Sequence, residues 1–349
     1  MKLSLFFFGQ QYGIEGGVTG TSVDPYRLLL SGARIADEIG LSAVWTPERH
    51  FHDFGGLYAD PTVTGAAVAA VTSNVDIRAG SIVLPLHDPI RVAERLAMVD
   101  QLSAGRVGAA FASGWHPRDF VLAHRPSGYA TRKGDMEPML HEIQRLWRGE
   151  AVTRAVDETM SFDVTSWPRP VQPELPTWLT TAGDPVSYEL AGRLGVNVLT
   201  HTLGQDFTSI TANITAYRAA LRAHHPRRRG TVSLMMHTYI ADTVGDAQEH
   251  ARSALRGYLA SSMSLESSAI VGPAGAAVSD EDRNFLIDRS LARFYDEGAL
   301  IGNVEAARQT VGRLERLGVD EVACLVDFGI DHDLALASIA RLGAVMRPA

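Results

Sequence analysis

The stretch Asp76-Ile77-Arg78-Ala79-Gly80-Ser81-Ile82-Val83-Leu84-Pro85, followed after two residues by Asp88-Pro89-Ile90-Arg91-Val92-Ala93-Glu94, holds the repeating unit of this chain. Its first half is a mostly apolar run rich in β-branched residues, the pattern of a strand buried on both faces in a parallel sheet. Its second half opens a helix. Asp accepts a backbone hydrogen bond as N-cap, and Pro suits the first helical position, where its missing N–H loses nothing. The same Asp-Pro punctuation stands at Asp24-Pro25, Asp60-Pro61 and Asp184-Pro185. Strand, loop and capped helix are therefore the building block.

Outward from this unit, eight strand candidates run over Lys2–Gly9, Ser42–Pro47, Asp76–Pro85, Val107–Ser113, Thr177–Ala182, Asn197–His201, Thr231–Ala241 and Val319–Phe328. Helical patterns lie between them, as at Pro25–Ile39, where Leu28, Ile35, Ala36 and Ile39 form one stripe and Gly40 suits the C′ position. Eight strands with intervening helices and no break in composition predict an α/β fold, a single (β/α)8 TIM barrel over residues 1–349 with insertions in the loops at its C-terminal face. The alternative is a doubly wound open sheet, but no Gly-x-Gly-x-x-Gly follows the first strand. Two segments depart from the pattern. Pro138 predicts a kink or a late start in a helix over Thr131–Arg148, and the Ser-, Gly- and Ala-rich stretch 261–279 reads as a long mobile loop, a lid.

Composition narrows the function. With 349 residues, 46% of them hydrophobic, the chain can bury a large core, and its formal charge of −8 offers no basic footprint for nucleic acid or an anionic membrane. One cysteine, Cys324, excludes an internal disulfide framework and a thiolate metal cluster. The apolar run Leu3–Phe8 is too short for a signal sequence or a membrane span, so a cytoplasmic protein is expected.

Barrels carry their chemistry at the C-terminal ends of the strands. Here the exits hold Thr46-Pro47-Glu48-Arg49-His50-Phe51-His52, Gly80-Ser81, Ser113-Gly114-Trp115-His116, Ala182-Gly183-Asp184 and Thr200-His201. Any one of these could be an ordinary polar loop; five converging exits point to a site. No metal is expected, because His50, His52, His116, His201 and His237 form no His-Glu-x-x-His pattern, although barrels can gather ligands from several strands. Ala112-Ser113-Gly114 is half of a hydrolase elbow and lacks its first glycine. Ala182-Gly183-Asp184-Pro185-Val186-Ser187 leads from strand to helix, where free N–H groups suit a phosphate, with Ser187 and Arg132 as helpers. Those residues by themselves fit helix capping equally well.

Taken in order, Trp45-Thr46-Pro47-Glu48-Arg49-His50-Phe51, Phe54-Gly55-Gly56, Ile82-Val83-Leu84-Pro85-Leu86-His87-Asp88-Pro89-Ile90-Arg91-Val92-Ala93-Glu94 and Leu102-Ser103-Ala104-Gly105-Arg106 resemble the bacterial luciferase-like flavin monooxygenase family. Gly302-Asn303-Val304-Glu305 and Gly318-Val319-Asp320-Glu321 sit where that family enters its last helix and last strand. Thr46–Phe51, with Ser113-Gly114-Trp115-His116-Pro117, is most similar to the branch found with natural-product assembly lines. The resemblance implies a barrel that takes reduced FMN from a separate flavin reductase, as a co-substrate with molecular oxygen, and hydroxylates a small-molecule or carrier-protein-bound substrate or inserts oxygen beside its carbonyl. It implies His50 as general acid or base with Glu48 orienting it, and Gly80 and Ser81, at a non-prolyl cis peptide, beneath the flavin ring together with Ser113. Arg132, Ala182, Gly183 and Ser187 then hold the phosphate, and Trp115, His116 and His201 shape the substrate side, while His237 belongs to the barrel wall. Arg49 stands where luciferase has its catalytic histidine, and Ala112 where it has a reactive cysteine, so neither light emission nor thiol chemistry is expected. The family also implies a homodimer, for which the small-residue stretch Gly65–Ala70 would permit close helix contact or equally close packing on the barrel. The rival readings are a deazaflavin-dependent dehydrogenase or reductase, a non-catalytic flavin binder and a metal-dependent hydrolase barrel.

Overall fold

The computed structural model describes residues 1–8, 24–52, 55–123, 128–271 and 280–347. Eight parallel strands close into a barrel in the order β1 (Lys2–Phe6), β2 (Ala43–Thr46), β3 (Asp76–Val83), β4 (Val107–Ala112), β7 (Thr177–Thr180), β8 (Asn197–His201), β9 (Val232–Ile240) and β11 (Glu321–Leu325), which pairs back onto β1. These are the eight runs the hydrophobic pattern marks, each trimmed by a few residues at its ends or not at all. Their side chains are almost all buried, as expected where barrel contents lie on one face and helices on the other.

Three of the four Asp-Pro pairs act as expected. Asp60, Asp88 and Asp184 cap α2 (Pro61–Ala69), α3 (Pro89–Leu102) and α5 (Pro185–Leu194), each accepting the N–H two residues on. Asp24 does not. It accepts from Tyr26 N–H, and α1 (Arg27–Ile39) begins two residues after Pro25, ending on a left-handed Gly40 whose N–H reaches Ala36. In α2, Thr64, Gly65, Val68 and Ala69 are buried, so its small residues serve packing on the barrel.

Several elements differ from expectation. Helix α4 (Gly128–Arg148) runs through Pro138 with no late start. Two short strands, β5 (Val152–Ala155) and β6 (Ser161–Val164), form an antiparallel hairpin between β4 and β7. A ninth parallel strand, β10 (Ala299–Gly302), extends β9 outside the barrel closure. The stretch expected to be a mobile loop is helical as far as Val271, as the end of α7 (Val244–Val271), and 272–279 lie outside the described residues. Helices α6 (Phe207–His224), α8 (Asp280–Arg293), α9 (Val304–Arg316) and α10 (His332–Met346) complete the set. Asn303 caps α9, which precedes the last strand and is not the last helix. Among the described residues no helix is long and apolar enough to cross a membrane.

The N-terminal end of the barrel is closed by a buried ion pair. Arg78 on β3 donates to both carboxylate oxygens of Glu321 on β11, at 3.0 and 2.8 Å, and to Asp76 at 2.8 Å. Ser42 and Ser233 also donate to Glu321, each at 2.6 Å, so the carboxylate is fully engaged. Burial raises its pKa, but Arg78 and the serine hydroxyls outweigh that, and the group sits below its ordinary value. Removing one member of a buried pair strands the other. Glu321→Ala should therefore lower unfolding stability by about 3–5 kcal/mol in urea titration. Arg78→Met combined with Glu321→Leu should cost less than the two single changes summed.

Candidate active site

Five neighbouring strands, β2, β3, β4, β7 and β8, bring the expected site residues to one side of the barrel mouth. The centre is Glu48, buried in the loop leaving β2. Its Oε2 accepts the Val83 N–H at the end of β3 at 2.7 Å, and its Oε1 accepts from Nε2 of His50 at 2.8 Å and of His87 at 2.7 Å. Burial raises the Glu48 pKa, yet the two histidines and the Val83 N–H prevail and hold it below the ordinary carboxylate range. An ionised carboxylate only accepts, so each histidine carries its proton on Nε2 in this arrangement. The Nδ1 atom of His50 is left for other partners. His50 itself is shifted upward, by its hydrogen bond to Glu48 first, against a smaller opposing effect of burial.

On β3 the Gly80–Ser81 peptide is cis, at the position the family resemblance marks. Ser81 Oγ and Thr180 Oγ1 share a hydrogen bond of 2.5 Å, linking β3 to β7 past the intervening β4. Ser113 and Gly114 are half-buried at the exit of β4. The first turn of α4 fastens this exit loop, as Arg132 Nε donates to the Gly114 carbonyl at 3.0 Å and the Tyr129 hydroxyl donates to that of Trp115 at 3.1 Å.

The β7 exit is where an anion would bind. Gly183 has φ of +99°, which only glycine adopts without strain. Lys133 approaches Asp184 at 3.6 Å, which places the start of α4 against this turn, and no carboxylate among the described residues pairs with Arg132. Thr181 Oγ1 is buried here without a hydrogen-bond partner among the described residues. A glycine turn, a guanidinium without a counter-ion and an unsatisfied hydroxyl fit the phosphate of a flavin mononucleotide. Ser187 is placed differently: its hydroxyl donates to Asp184 at 3.1 Å, and both take part in capping α5.

The remaining candidates sort by environment. Trp115 is 42% exposed on the rim, whereas His116 is buried and its Nδ1 accepts the Arg118 N–H at 3.3 Å. Burial lowers the pKa of His116, with Arg49 and Arg118 adding to it and Asp119 opposing. His201 ends β8, half-buried, and burial lowers it too. His237 lies in the wall on β9, 1% exposed among the rings of Tyr258, Phe294 and Phe328, and burial takes its pKa down to about 3.

The sequence alone does not single out His87, nor does it bring His52 and His116 together with Asp119. His87 shares the Glu48 carboxylate from 39 residues away, a contact made because β2 and β3 pair side by side and bring their exits together. His52, His116 and Asp119 converge with ligand-type atoms within 4.8 Å of one another, a cluster assembled from two separate exit loops. The signal for the first lay in the quoted stretch itself, where a histidine directly precedes the Asp88 cap.

Comparison with known proteins identifies the family and the fold. The luciferase-like monooxygenase family model matches residues 1–321. The oxygenase component of the flavin-dependent trigonelline monooxygenase of Acinetobacter baylyi is 28% identical, across 100% of this chain and 95% of that one. Two solved structures share the fold. The monooxygenase RslO1 of Streptomyces bottropensis superposes with a TM-score of 0.80 at 23% identity, covering 99% of this chain and 98% of its own. The oxygenating constituent of 3,6-diketocamphane monooxygenase of Pseudomonas putida, in complex with FMN, gives 0.72 at 15% identity, covering 100% and 99%. The chain therefore belongs to the luciferase-like monooxygenase family, and it is a flavin-dependent monooxygenase.

One measurement tests the electrostatics. In an NMR titration the His50 imidazole should have its midpoint above the ordinary value of about 6.5. Glu48→Gln removes the first cause of that shift, so the midpoint should fall. The stabilising effect of the pair is full below the unfolded value and is lost as pH rises through the higher folded one.

Proposed function

We propose that the chain is the oxygenase of a two-component system: reduced FMN, made by a separate flavin reductase, binds as a co-substrate and supplies an activated form of molecular oxygen. The observation that carries this reading is the Glu48 carboxylate, which grips β3 at Val83 and His50 at the same time. A titratable group is thereby locked to the strand whose Gly80-Ser81 segment supports the flavin in our assignment. Ser113 contacts the same ring. Arg132 and the backbone of Ala182 and Gly183 hold the phosphate, with Thr181 added to the set; Ser187 contributes by capping through Asp184.

His50 gives or takes a proton at Nδ1, and Glu48 fixes the ring and balances its charge. Trp115, His116 and His201 shape the substrate side. The substrate is a natural-product intermediate, free or bound to a carrier protein, that is hydroxylated or receives oxygen beside a carbonyl. The protein works as a cytoplasmic homodimer.

Protein purified without added flavin should be colourless or faintly yellow. Stoichiometric flavin surviving dialysis and bleached directly by NADH would overturn the two-component assignment. With reduced FMN and isotopically labelled oxygen, label should enter the product. His50→Ala should lower kcat by roughly 10²–10⁴-fold with FMN affinity unchanged. Turnover without oxygen would sink the monooxygenase chemistry.

A further inference from the structure

Arg49 occupies an unusual environment. Its stem leaves the same loop as Glu48 and His50, and its guanidinium carbon lies 5.4 Å from the centre of the Phe8 ring and 5.5 Å from that of Trp115. Its Nε is buried and has no hydrogen-bond partner among the described residues, and none of them brings a carboxylate within ion-pair reach of the group. Asp119 is the nearest acid whose charge it feels, but Asp119 Oδ1 takes no hydrogen bond and faces His52 at 3.8 Å. Ring faces attract a cation, yet they accept none of the hydrogens in a guanidinium fork. Leaving the buried Nε donor without an acceptor carries the penalty of an unmade hydrogen bond, while the half-buried side chain keeps the rest of the fork within reach of a ligand.

From this geometry we infer that Arg49 is the substrate-anchoring residue, and that the substrate carries a carboxylate next to a flat, preferably aromatic, body. The carboxylate meets the fork edge-on through paired, charge-assisted bonds, while Phe8 and Trp115 take the flat part. The inference deepens the monooxygenase assignment and rests on it for the word substrate; the binding site itself does not depend on flavin chemistry. Anchoring at Arg49 places the ligand on the exit loop that carries His50. The Gly183 turn, three strands away in the sheet, has Arg132 for its own anion.

The test is isothermal titration calorimetry of the full chain, without flavin, against benzoate, phenylacetate and 3-phenylpropionate, each paired with its neutral amide. At least one acid should bind roughly ten- to a hundredfold tighter than its amide, the range of a charge-assisted pair. Arg49→Gln should abolish that preference, and Arg49→Lys should keep part of it, since charge remains and the fork is lost. FMN affinity should stay unchanged in both variants, which also shows that they fold. If no acid outbinds its amide, or if Arg49→Gln keeps the preference, the inference is wrong. Loss of FMN binding in place of acid binding would equally overturn it, by assigning Arg49 to the cofactor. Should acid binding behave as expected while no oxygen is consumed with reduced FMN, the anchoring site stands and the monooxygenase chemistry falls.

Discussion

The buried contact between Arg78 and Glu321 sets the geometry on which the site depends. A guanidinium and a carboxylate removed from water are stable only when every polar atom is engaged. Here the engagement reaches round the barrel, from β3 through β11 to Ser42 before β2 and Ser233 on β9. The cation also lies 4.9 Å from the Trp45 ring and 4.5 Å from that of Trp178, whose indole N–H groups donate to Ser4 and Ser233. Trp45 then carries the constraint upward. A Cβ at residue 80 would come within 2.8 Å of its ring, so the segment Gly80-Ser81 can lie there only because residue 80 has no side chain. Two residues further, Val83 N–H meets Glu48. The closed end and the reactive end of the barrel are thus joined by three packed layers on β3.

Much of this was legible in the sequence, for physical reasons that also explain what was not. Strands buried on both faces leave mostly apolar runs, and the eight barrel strands could be located from them even where a polar residue such as Ser4, Arg78 or His237 interrupts. The hairpin β5–β6 leaves no such run, because most of its side chains are exposed and each of its strands is only 4 residues long. Strand β10, of 4 residues, is too short for a periodic signal. The end of α7 does not read as helix because serine dominates it and a Gly- and Ala-rich stretch follows, while the burial of Ser262 and Leu265, three residues apart, is visible only once packed. Asp24 shows the limit of a capping motif: its side chain makes the expected type of bond, to the residue two further on, but the helix starts later.

The site divides in the same way. Glu48 and His50 stand two residues apart in one loop, so the sequence could pair them, and the resemblance to luciferase-like enzymes supplied their roles. His87 could be paired with Glu48 only once β2 and β3 were seen to lie side by side. Arg49 read at first as an absence, the place of a missing histidine; its significance as a cation between two rings depends on Phe8 and Trp115, which come from the exits of two other strands. Hydroxyls behave likewise. Ser187 has the position of a phosphate ligand, but its neighbour Asp184 claims it, whereas Thr181, which the sequence did not single out, has a buried hydroxyl with no hydrogen-bond partner among the described residues.

Electrostatics finally separates the histidines that the sequence could only count. Burial alone disfavours the imidazolium, and it does so for His116, His201 and, most strongly, His237. Those three stay neutral near neutral pH and can serve as hydrogen-bonding or packing groups, not as proton stores. His50 is half-buried too, but a carboxylate held ionised by Val83 N–H and His87 reverses the direction of its shift. Its imidazole, with Nε2 fixed on a carboxylate, is the one of these rings whose charged form the surroundings favour. The carboxylate responsible is anchored to β3 through the Val83 N–H, so the charge preference of His50 follows from how that strand is held above the ion pair.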